Sequence, residues 1–98
     1  MECTPLPLKA RARLFRDGLD VWTPAQRRIA PDMLSPRAKM HNYLNMIVAE
    51  MPVKAANPDA WAILLDENGN LAEGLGSNIF IVRDGKLFTP RHKYVLPG

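Results

Sequence analysis

The stretch WAILLDENGN, residues 61–70, joins an apolar run to a tight turn, and this pair decides the fold class. The run from Trp61 to Leu65 is apolar throughout, which is typical of a strand that is buried on both faces. Asn68-Gly69 follows soon after it and favours the positive φ angles of a hairpin turn. We therefore expect a second strand to begin near Leu71 and to run back along the first.

Beyond that turn, the sequence predicts the rest of an antiparallel meander. The second strand covers roughly residues 71–83 and is interrupted by Gly74 and Gly76. Asp84-Gly85 is typical of another hairpin turn, and it leads into a third strand over residues 86–89.

One helix is predicted upstream of the meander. Ser35-Pro36 is typical of a helix start, with serine as the cap and proline in the first turn. The apolar residues that follow have the spacing of one helix face, and they are Met40, Tyr43, Leu44, Ile47, Val48 and Met51. Pro52 is expected to end the regular part of this helix, with one further turn near Ala55-Ala56.

The N-terminal third is predicted to form strands. Residues 8–21 alternate small or apolar side chains with basic ones, which favours a half-buried strand. Asp17-Gly18 indicates a turn, after which residues 19–22 resume the alternation and residues 24–36 form a connection. The complete pattern is an α+β fold with N-terminal strands, one helix and then the antiparallel β meander.

Length and composition restrict the class of protein. At 98 residues, with 47% hydrophobic and 23% charged residues, the chain suits one soluble globular domain. No apolar run approaches the roughly 18 residues of a membrane-spanning helix. The N-terminus lacks a signal-peptide pattern, so we expect a cytoplasmic protein without membrane partners. Cys3 is the sole cysteine, and His41 and His92 lie far apart, so no disulfide or metal site is expected.

The net charge of +3 leaves a basic nucleic-acid-binding module as one alternative. Cations are concentrated in the first part of the chain, at Lys9, Arg11, Arg13, Arg16, Arg27, Arg28 and Arg37. They alternate with apolar residues instead of forming a run, which favours a solvated face. The 7% of aromatic residues give no stacking platform, and a phosphate-bearing small ligand suits the charge equally well. We therefore predict no nucleic-acid partner.

Lys39 is the first candidate for chemistry. On the predicted helix it precedes Tyr43 by one turn, so the two side chains would share a face. The positive end of the helix dipole and burial both favour the neutral amine that Schiff-base chemistry requires. The alternative is an ordinary solvated lysine whose stem lies along the apolar stripe.

Glu73 is the second candidate, because an acid is unexpected in an apolar strand. Gly74 and Gly76 follow it and would let the backbone approach a flat ligand closely. The alternative is a bulge that places Glu73 at a solvent edge. The spacing of these glycines does not match a phosphate-binding loop.

Three stretches together resemble the class IV, or fold-type IV, pyridoxal-phosphate aminotransferases, and branched-chain members most of all. They are RAKMHNYL at residues 37–44, ILLDENG at residues 63–69 and EGLGSNIFIVRDGKLFTP at residues 73–90. The closing Leu96-Pro97-Gly98 resembles the start of the family's phosphate-loop signature. The resemblance covers roughly residues 21–98. It implies that residues 1–98 are a single partial domain, the N-terminal part of the family's large domain.

The resemblance implies a role for each candidate. Lys39 is similar to the catalytic lysine that binds the cofactor covalently and moves the proton in transamination. Glu73 is similar to the carboxylate that faces the pyridine nitrogen and keeps it protonated. Tyr43 matches a tyrosine that bonds the cofactor's phenolic oxygen, Arg28 resembles an arginine supporting that tyrosine, and Leu96 matches a leucine packed on the ring. The alternatives are a surface arginine at position 28 and an ordinary core or linker leucine at position 96.

The implied activity is transamination with pyridoxal 5'-phosphate, between a branched-chain or other apolar amino acid and 2-oxoglutarate. D-amino-acid aminotransferase and aminodeoxychorismate lyase share Lys39 and Glu73 and are the alternatives. Met40-His41 departs from the pair expected in a branched-chain enzyme. A relative that keeps the fold without catalysis is a further alternative, which the intact Lys39 and Glu73 oppose.

The resemblance also implies how the chain would assemble. Family members are commonly homodimers or larger, so a homo-oligomer is expected. Ser77 and Asn78 are expected to shape the site, and the alternative is a structural turn, which needs the same residue types. The family's small domain and the element that completes the phosphate site have no counterpart in these residues, so we expect the isolated chain to be inactive.

Overall fold

The computed structural model describes residues 3–39 and 43–98 of the chain. In chain order, the elements are α1 (Leu8–Asp17), β1 (Val21–Trp22), α2 (Leu44–Ala56), β2 (Trp61–Leu65), β3 (Leu71–Gly74), β4 (Ser77–Asn78), β5 (Ile81–Arg83) and β6 (Lys86–Phe88). The α+β class predicted from the sequence is confirmed.

β1 to β4 form one sheet in chain order. β1 and β2 are parallel, and such a pair needs a crossover connection, which α2 supplies. β2 and β3 pair antiparallel across the turn at residues 66–70. β3 and β4 are antiparallel as well, and their register sets Glu73 directly opposite Asn78.

The core lies between α2 and β2. One face of the helix packs on the residue before the strand and on one face of the strand, through Met46, Ala49, Val53, Ala60, Ala62 and Leu64. The buried helical members repeat at intervals of three and four residues, as expected of one helix face. This is not the face predicted from the apolar spacing, whose described members are 38–63% exposed, namely Tyr43, Leu44, Ile47, Val48 and Met51. The predicted face is therefore wrong, because the small and apolar residues between them cover β2 instead. The packing fixes the first turn of α2 near β3, where the candidate residues lie.

The predicted turn between β2 and β3 is confirmed, and Asp66 organises it. Asp66 Oδ1 accepts the N–H groups of Asn68 at 2.8 Å and Asn70 at 2.9 Å. Gly69 takes a φ of 83°, which glycine adopts without strain. The turn therefore fixes the point at which β3 begins, and with it the depth of Glu73 in the sheet.

The second predicted turn is also present, but the meander predicted as one sheet is divided. Leu75 and Gly76 form a tight turn that ends β3, so the predicted strand over residues 71–83 is wrong in its length. β5 and β6 form a separate two-stranded sheet. They pair across Asp84 and Gly85, whose φ angles are 51° and 71°.

The predicted N-terminal strand is wrong, because residues 8–17 form α1. No β-branched residue occurs in this stretch, which consists mainly of Leu, Ala, Lys and Arg, all good helix formers. Alternation over so few residues does not outweigh that preference. Gly18, with a φ of 71°, ends the helix at the predicted turn, and β1 lies within the second predicted strand.

The predicted helix start at Ser35-Pro36 is also wrong, because α2 begins at Leu44. The Ala38 N–H donates to Ser35 O at 3.1 Å, which closes a single turn. Pro36 is fully buried, and its carbonyl accepts a long hydrogen bond of 3.4 Å from Arg28 Nη2. A distant side chain therefore takes the carbonyl with which a helix would continue.

The predicted helix end differs as well. Pro52 lies inside α2, which continues to Ala56 and therefore includes the further turn expected there. Pro52 is exposed, so its ring projects into solvent. The helix tolerates the missing N–H because packing on β2 holds both ends of the element.

Candidate functional site

A cavity of about 620 Å³ opens beside β3. Its walls come from the segment after β1, the residues around the start of α2, the β3–β4 turn and the C-terminal residues. All the site residues predicted from the sequence line it: Arg28, Lys39, Tyr43, Glu73 and Leu96. The fold therefore brings side chains from across the chain to one place.

Glu73 is buried in the cavity wall with 4% of its surface exposed, so the solvent-edge alternative is wrong. Its Oε1 accepts a hydrogen bond from Arg28 Nε at 2.7 Å, and its Oε2 accepts one from the Leu96 N–H at 2.9 Å. Such partners offset the cost of removing a carboxylate from water. Each oxygen keeps a second lone pair, so Glu73 can still accept a hydrogen bond from a ligand.

Arg28 is mostly buried, with 13% of its side chain exposed, so the surface-arginine alternative is also wrong. Besides its ion pair with Glu73, the guanidinium donates long bonds of 3.4 Å to Asn45 Oδ1 and Pro36 O. Among the described residues, these are its side-chain partners, and Tyr43 is not one of them. Arg28 thus supports the acid where the resemblance implied support for the tyrosine.

Asn45 fixes the segment that carries Arg28, and the sequence analysis missed it. Asn45 Oδ1 accepts the Ile29 N–H at 3.1 Å, and Nδ2 donates to Arg27 O at 2.9 Å. One side chain from the first turn of α2 therefore binds the backbone on both sides of Arg28. The Arg28 N–H donates to Leu65 O at 2.8 Å on the other flank. Asn45 is the one polar residue among residues 44–49, and this is the signal that could have found it.

Lys39 and Tyr43 line the cavity from the chain just before α2. Because the helix begins after both of them, their predicted shared helix face is wrong. The argument from a helix dipole for a neutral Lys39 amine is wrong for the same reason, and the argument from burial is wrong because Lys39 is exposed. Tyr43 is exposed as well, so the amine and the hydroxyl are accessible to a ligand. Met40 and His41, singled out in the sequence, lie outside the described residues.

The β3–β4 turn needs glycine for its own packing. A Cβ added at Gly74 would lie 2.5 Å from Ser77 Oγ and 2.9 Å from Ala62 O, so a larger residue does not fit. Gly74 therefore serves the close approach of β2, β3 and β4, which explains it without a flat ligand. Ser77 and Asn78 both line the cavity, as expected from the sequence.

Gln26 is a second residue that the sequence analysis missed. It lines the cavity, and its Oε1 is buried without a hydrogen-bond partner among the described residues. A buried acceptor without a hydrogen bond destabilises the fold by about 1–3 kcal/mol. A hydrogen-bond donor from a ligand or from water would remove this cost. The local sequence does not distinguish Gln26 from an ordinary polar loop residue.

Comparison with known proteins identifies the family. Residues 3–98 match the family described as amino-transferase class IV, and the chain belongs to this family. It is 41% identical over 88 residues to a Methanocaldococcus jannaschii protein assigned as a branched-chain-amino-acid aminotransferase, covering 90% of this chain. It is 35% identical over 89 residues to the branched-chain-amino-acid aminotransferase of Escherichia coli, covering 89% of this chain.

Solved structures agree with this assignment. The branched-chain aminotransferase of Thermoproteus uzoniensis, determined with norvaline, superposes with a TM-score of 0.76 at 36% identity, over 82% of this chain and 27% of that one. The T.th. branched-chain amino acid aminotransferase, complexed with N-(5'-phosphopyridoxyl)-L-glutamate, gives a TM-score of 0.74 at 37% identity, again over 82% and 27%. The fold is therefore that of part of a fold-type IV aminotransferase.

The chain spans less than a third of these relatives, with 30% of the archaeal protein and 28% of the bacterial one. Within residues 3–39 and 43–98, no helix combines the length and the apolar character needed to cross a bilayer.

Proposed function

We propose that this chain provides the cofactor-facing wall of a pyridoxal-phosphate-dependent aminotransferase. The observation that carries the proposal is the meeting of an accessible lysine, Lys39, and a buried carboxylate, Glu73, at one cavity. A lysine amine can bind a carbonyl cofactor covalently, and a buried carboxylate can hold a protonated ring nitrogen. Membership of the class IV aminotransferases supports this use of the pair.

The residues around the cavity fit such a cofactor. The volume of about 620 Å³ lies within the range of about 300–1,000 Å³ that small-molecule sites occupy. Glu73 and Gln26 Oε1, the latter without a partner in the described part of the chain, offer acceptors. Lys39 and Tyr43 offer an amine and a hydroxyl. This set suits a flat ring that carries a basic nitrogen, a carbonyl group and a phenolic oxygen.

Each residue has a defined task. Bound pyridoxal phosphate supplies a ring that accepts electrons from the substrate Cα. Lys39 binds the cofactor and moves the proton at that Cα, as a general base and then a general acid. Glu73 would hold the proton on the ring nitrogen, and Tyr43 would donate a hydrogen bond to the phenolic oxygen. Leu96, which lines the cavity, would pack against the ring and exclude water from it.

Arg28 acts through Glu73. Its Nε lies 2.7 Å from Glu73 Oε1, and charge-assisted bonds of this length are both strong and directional. The guanidinium compensates the burial of the carboxylate and fixes its plane. The free lone pairs of Glu73 then keep a constant direction towards the cavity.

The substrate class rests on the relatives. The archaeal and bacterial relatives carry the name of branched-chain enzymes, and one solved relative holds norvaline, an apolar amino acid. Another holds a phosphopyridoxyl derivative of L-glutamate, the amino acid formed from 2-oxoglutarate. We therefore propose branched-chain or other apolar amino acids and 2-oxoglutarate as the substrate pair, and we extend the proposal to a cytoplasmic homo-oligomer on the resemblance alone.

The domain assignment is part of the proposal. We propose that these residues are the N-terminal part of the large domain, as the resemblance implies. The match covers 90% of the chain and 30% of the archaeal relative, which supports a part of a longer protein. Substrate contacts and the completed phosphate site then lie in the regions of the relatives that are not matched. Without them the isolated chain is inactive.

Covalent trapping tests the proposal in the intact protein that carries these residues. Pyridoxal phosphate is added and the complex is reduced with borohydride. Mass spectrometry should then find the pyridoxyl group on Lys39. Substitution Lys39→Ala should remove the adduct and lower kcat for leucine with 2-oxoglutarate by about 10²–10⁴ or more, the usual contribution of a general base.

Lys54→Ala is the matched control. Lys54 Nζ donates to Pro58 O at 3.1 Å, and the residue does not line the cavity, so labelling and activity should stay at the wild-type level. A label on Lys54 or Lys86, or on no lysine at all, would reject the assignment. Activity with D-alanine in place of leucine would instead favour the D-amino-acid aminotransferase of the same family.

A further inference from the structure

We propose that Asn78 is a positioning residue that works with Glu73 to set the place of the segment Leu96–Gly98 at the cavity. This inference deepens the proposed function, on which it rests wherever the cofactor is concerned. Its structural part stands on contacts within the chain and can be tested without a cofactor.

The register of β3 and β4 places Glu73 and Asn78 where both can bind Leu96. Glu73 and Asn78 are directly opposite each other, and residues so paired in an antiparallel sheet project to the same face. Glu73 Oε2 accepts the Leu96 N–H at 2.9 Å, and Asn78 Nδ2 donates to Leu96 O at 3.0 Å. One cross-strand pair therefore binds both main-chain polar groups of a single residue.

The held segment has few other anchors. Leu96–Gly98 lies outside every described helix and strand. Among the turn and loop main-chain hydrogen bonds of the described residues, the nearest to this segment joins the Tyr94 N–H to Arg91 O at 3.0 Å. The preceding residue, Val95, is buried and fixes where the segment starts. From there on, the direction of the chain depends on the two side chains that bind Leu96.

Asn78 also sets the shape of the far end of this segment. A Cβ placed on Gly98 would collide with Asn78 Oδ1, so the amide and the glycine are in close contact. Asn78 therefore directs the chain at Leu96 through a hydrogen bond and at Gly98 through shape. Leu96 lines the same cavity as Lys39, and a shift of this segment would move one of its walls.

The two members of the pair differ in what else they do. Glu73 is buried and bound to Arg28, so its removal disturbs the site as a whole. Asn78 is exposed, and its hydrogen bond to Leu96 can be removed with little effect on the core. Asn78 is therefore the residue at which positioning can be tested separately from folding.

The first experiment is hydrogen exchange of the full chain without cofactor. The loss of one neutral hydrogen bond is worth about 1 kcal/mol, so Asn78→Ala should speed exchange of the Leu96 amide about fivefold. Asn78→Asp should speed it further, because a carboxylate oxygen would face Leu96 O. The control is Asn68→Ala, which removes a bond of 3.4 Å from Asn68 Nδ2 to Tyr94 Oη but leaves Leu96 untouched.

The second experiment measures the affinity for pyridoxal phosphate in the intact protein, together with the thermal midpoint of its cofactor-free form. Asn78→Ala should weaken cofactor binding about fivefold while the midpoint stays close to that of the wild type. A purely structural role would lower the midpoint and leave the affinity alone. Asn68→Ala should change neither quantity.

The outcomes separate this inference from the proposed function. Leu96 exchange within twofold of wild type in both Asn78 variants overturns the inference, as does an unchanged cofactor affinity. If the wild-type protein forms no adduct on Lys39, the proposed function fails. Faster Leu96 exchange in Asn78→Ala would in that case still support the positioning of the segment.

Discussion

At the scale of single residues, the pair Arg28–Glu73 differs from the other described ion pairs in its burial. Its side chains are 13% and 5% exposed, whereas those of Arg13 and Asp59 are 63% and 81% exposed. Ion pairs in water contribute about 0–1 kcal/mol, but removing one partner of a buried pair costs about 3–5 kcal/mol. The difference arises because the remaining charge stays buried without compensation.

We therefore expect Glu73→Ala to lower the free energy of unfolding of the chain by about 3–5 kcal/mol in urea titrations. Glu73→Gln should cost less, because the amide oxygen can still accept the Leu96 N–H. The control Arg13→Ala should change stability by at most about 1 kcal/mol. Equal losses for Glu73→Ala and Arg13→Ala would show that the buried pair does not stabilise the fold.

Asp66 makes stability depend on pH. Burial alone would raise the pKa of Asp66, but bonds from the backbone and side chain of Asn70 and from the Asn68 N–H outweigh it, so the pKa lies below its ordinary value. A pKa that is lower in the folded than in the unfolded chain stabilises the fold above the unfolded value of about 3.9. That contribution is lost as the pH falls through the folded value.

Asp66→Asn should accordingly lower the free energy of unfolding by about 1–3 kcal/mol at neutral pH. The gap between wild type and variant should stay constant above about pH 5 and shrink as the pH falls below about 4. Unfolding by denaturant at a series of pH values measures both curves. Glu67→Gln, at the exposed neighbouring position, should leave the wild-type curve unchanged. A gap that does not depend on pH would contradict this role of Asp66.

At the scale of elements, α2 contains a proline that lowers the stability of the helix. Pro52 lacks the N–H for a helical bond and costs about 3 kcal/mol in a helix interior. Proline also lowers the conformational entropy of the unfolded chain, which offsets about 0.4–1 kcal/mol of that cost. Because Pro52 is exposed, its ring adds little packing. Pro52→Ala should therefore stabilise the chain by about 2–2.6 kcal/mol.

Thermal unfolding tests this prediction, because about 1 kcal/mol shifts the midpoint of a domain of this size by about 4–8 °C. The control is Met51→Ala, at the preceding position of the same helix, where the side chain is 63% exposed. It should change stability by no more than about 0.5 kcal/mol. A lower midpoint for Pro52→Ala would mean that the ring packs or that the unfolded-state term is larger.

The same elements show which features a sequence can predict. β2 and its turn follow from the apolar run and Asn68-Gly69, because these signals are local. The apolar residues of the sequence predicted the body of α2 but not its buried face, because the side of the helix that is covered depends on where β2 lies. The predicted start at Ser35-Pro36 used a local signal, whereas Pro36 is buried and its carbonyl is bound by Arg28 from across the fold. The strand predicted within residues 8–21 is wrong because the side-chain pattern of so short a stretch is compatible with the periodicity of a strand and of a helix.

The candidate site divides in the same way. Glu73 could be found because an acid in an apolar strand is locally unusual, and the family resemblance named Lys39 and Tyr43. Asn45 has a local signal, as a polar residue among the apolar first residues of α2, but its two backbone bonds are visible only in the fold. Gln26 could not be found, because its importance lies in the burial of its side-chain oxygen. That Arg28 binds Glu73, where the resemblance implied Tyr43, is likewise visible only in the folded structure.

At the scale of the whole molecule, stability is unevenly distributed. Most of the buried residues lie in α2, β2 and β3, whereas α1 has none. In the hairpin β5–β6 every residue is exposed, with Val82 at 73% and Leu87 at 65%. Elements with few buried apolar contacts open with a low free energy. Apolar side chains exposed in this way are also suited to burial against further protein.

Hydrogen exchange of the complete set of amides tests this distribution. In the 98-residue chain, amides of β2 and α2 should exchange slowest, and those of α1 and β5–β6 at least about a hundredfold faster, because the latter need no global opening. In the intact protein, the hairpin should gain at least about tenfold protection, because further parts of the proposed large domain would cover its exposed apolar side chains. The centre of α2, which is already buried, should change little. Equal protection of the hairpin in both proteins would mean that the 98 residues already hold it in place, and the assignment of this chain as a partial domain would then be wrong.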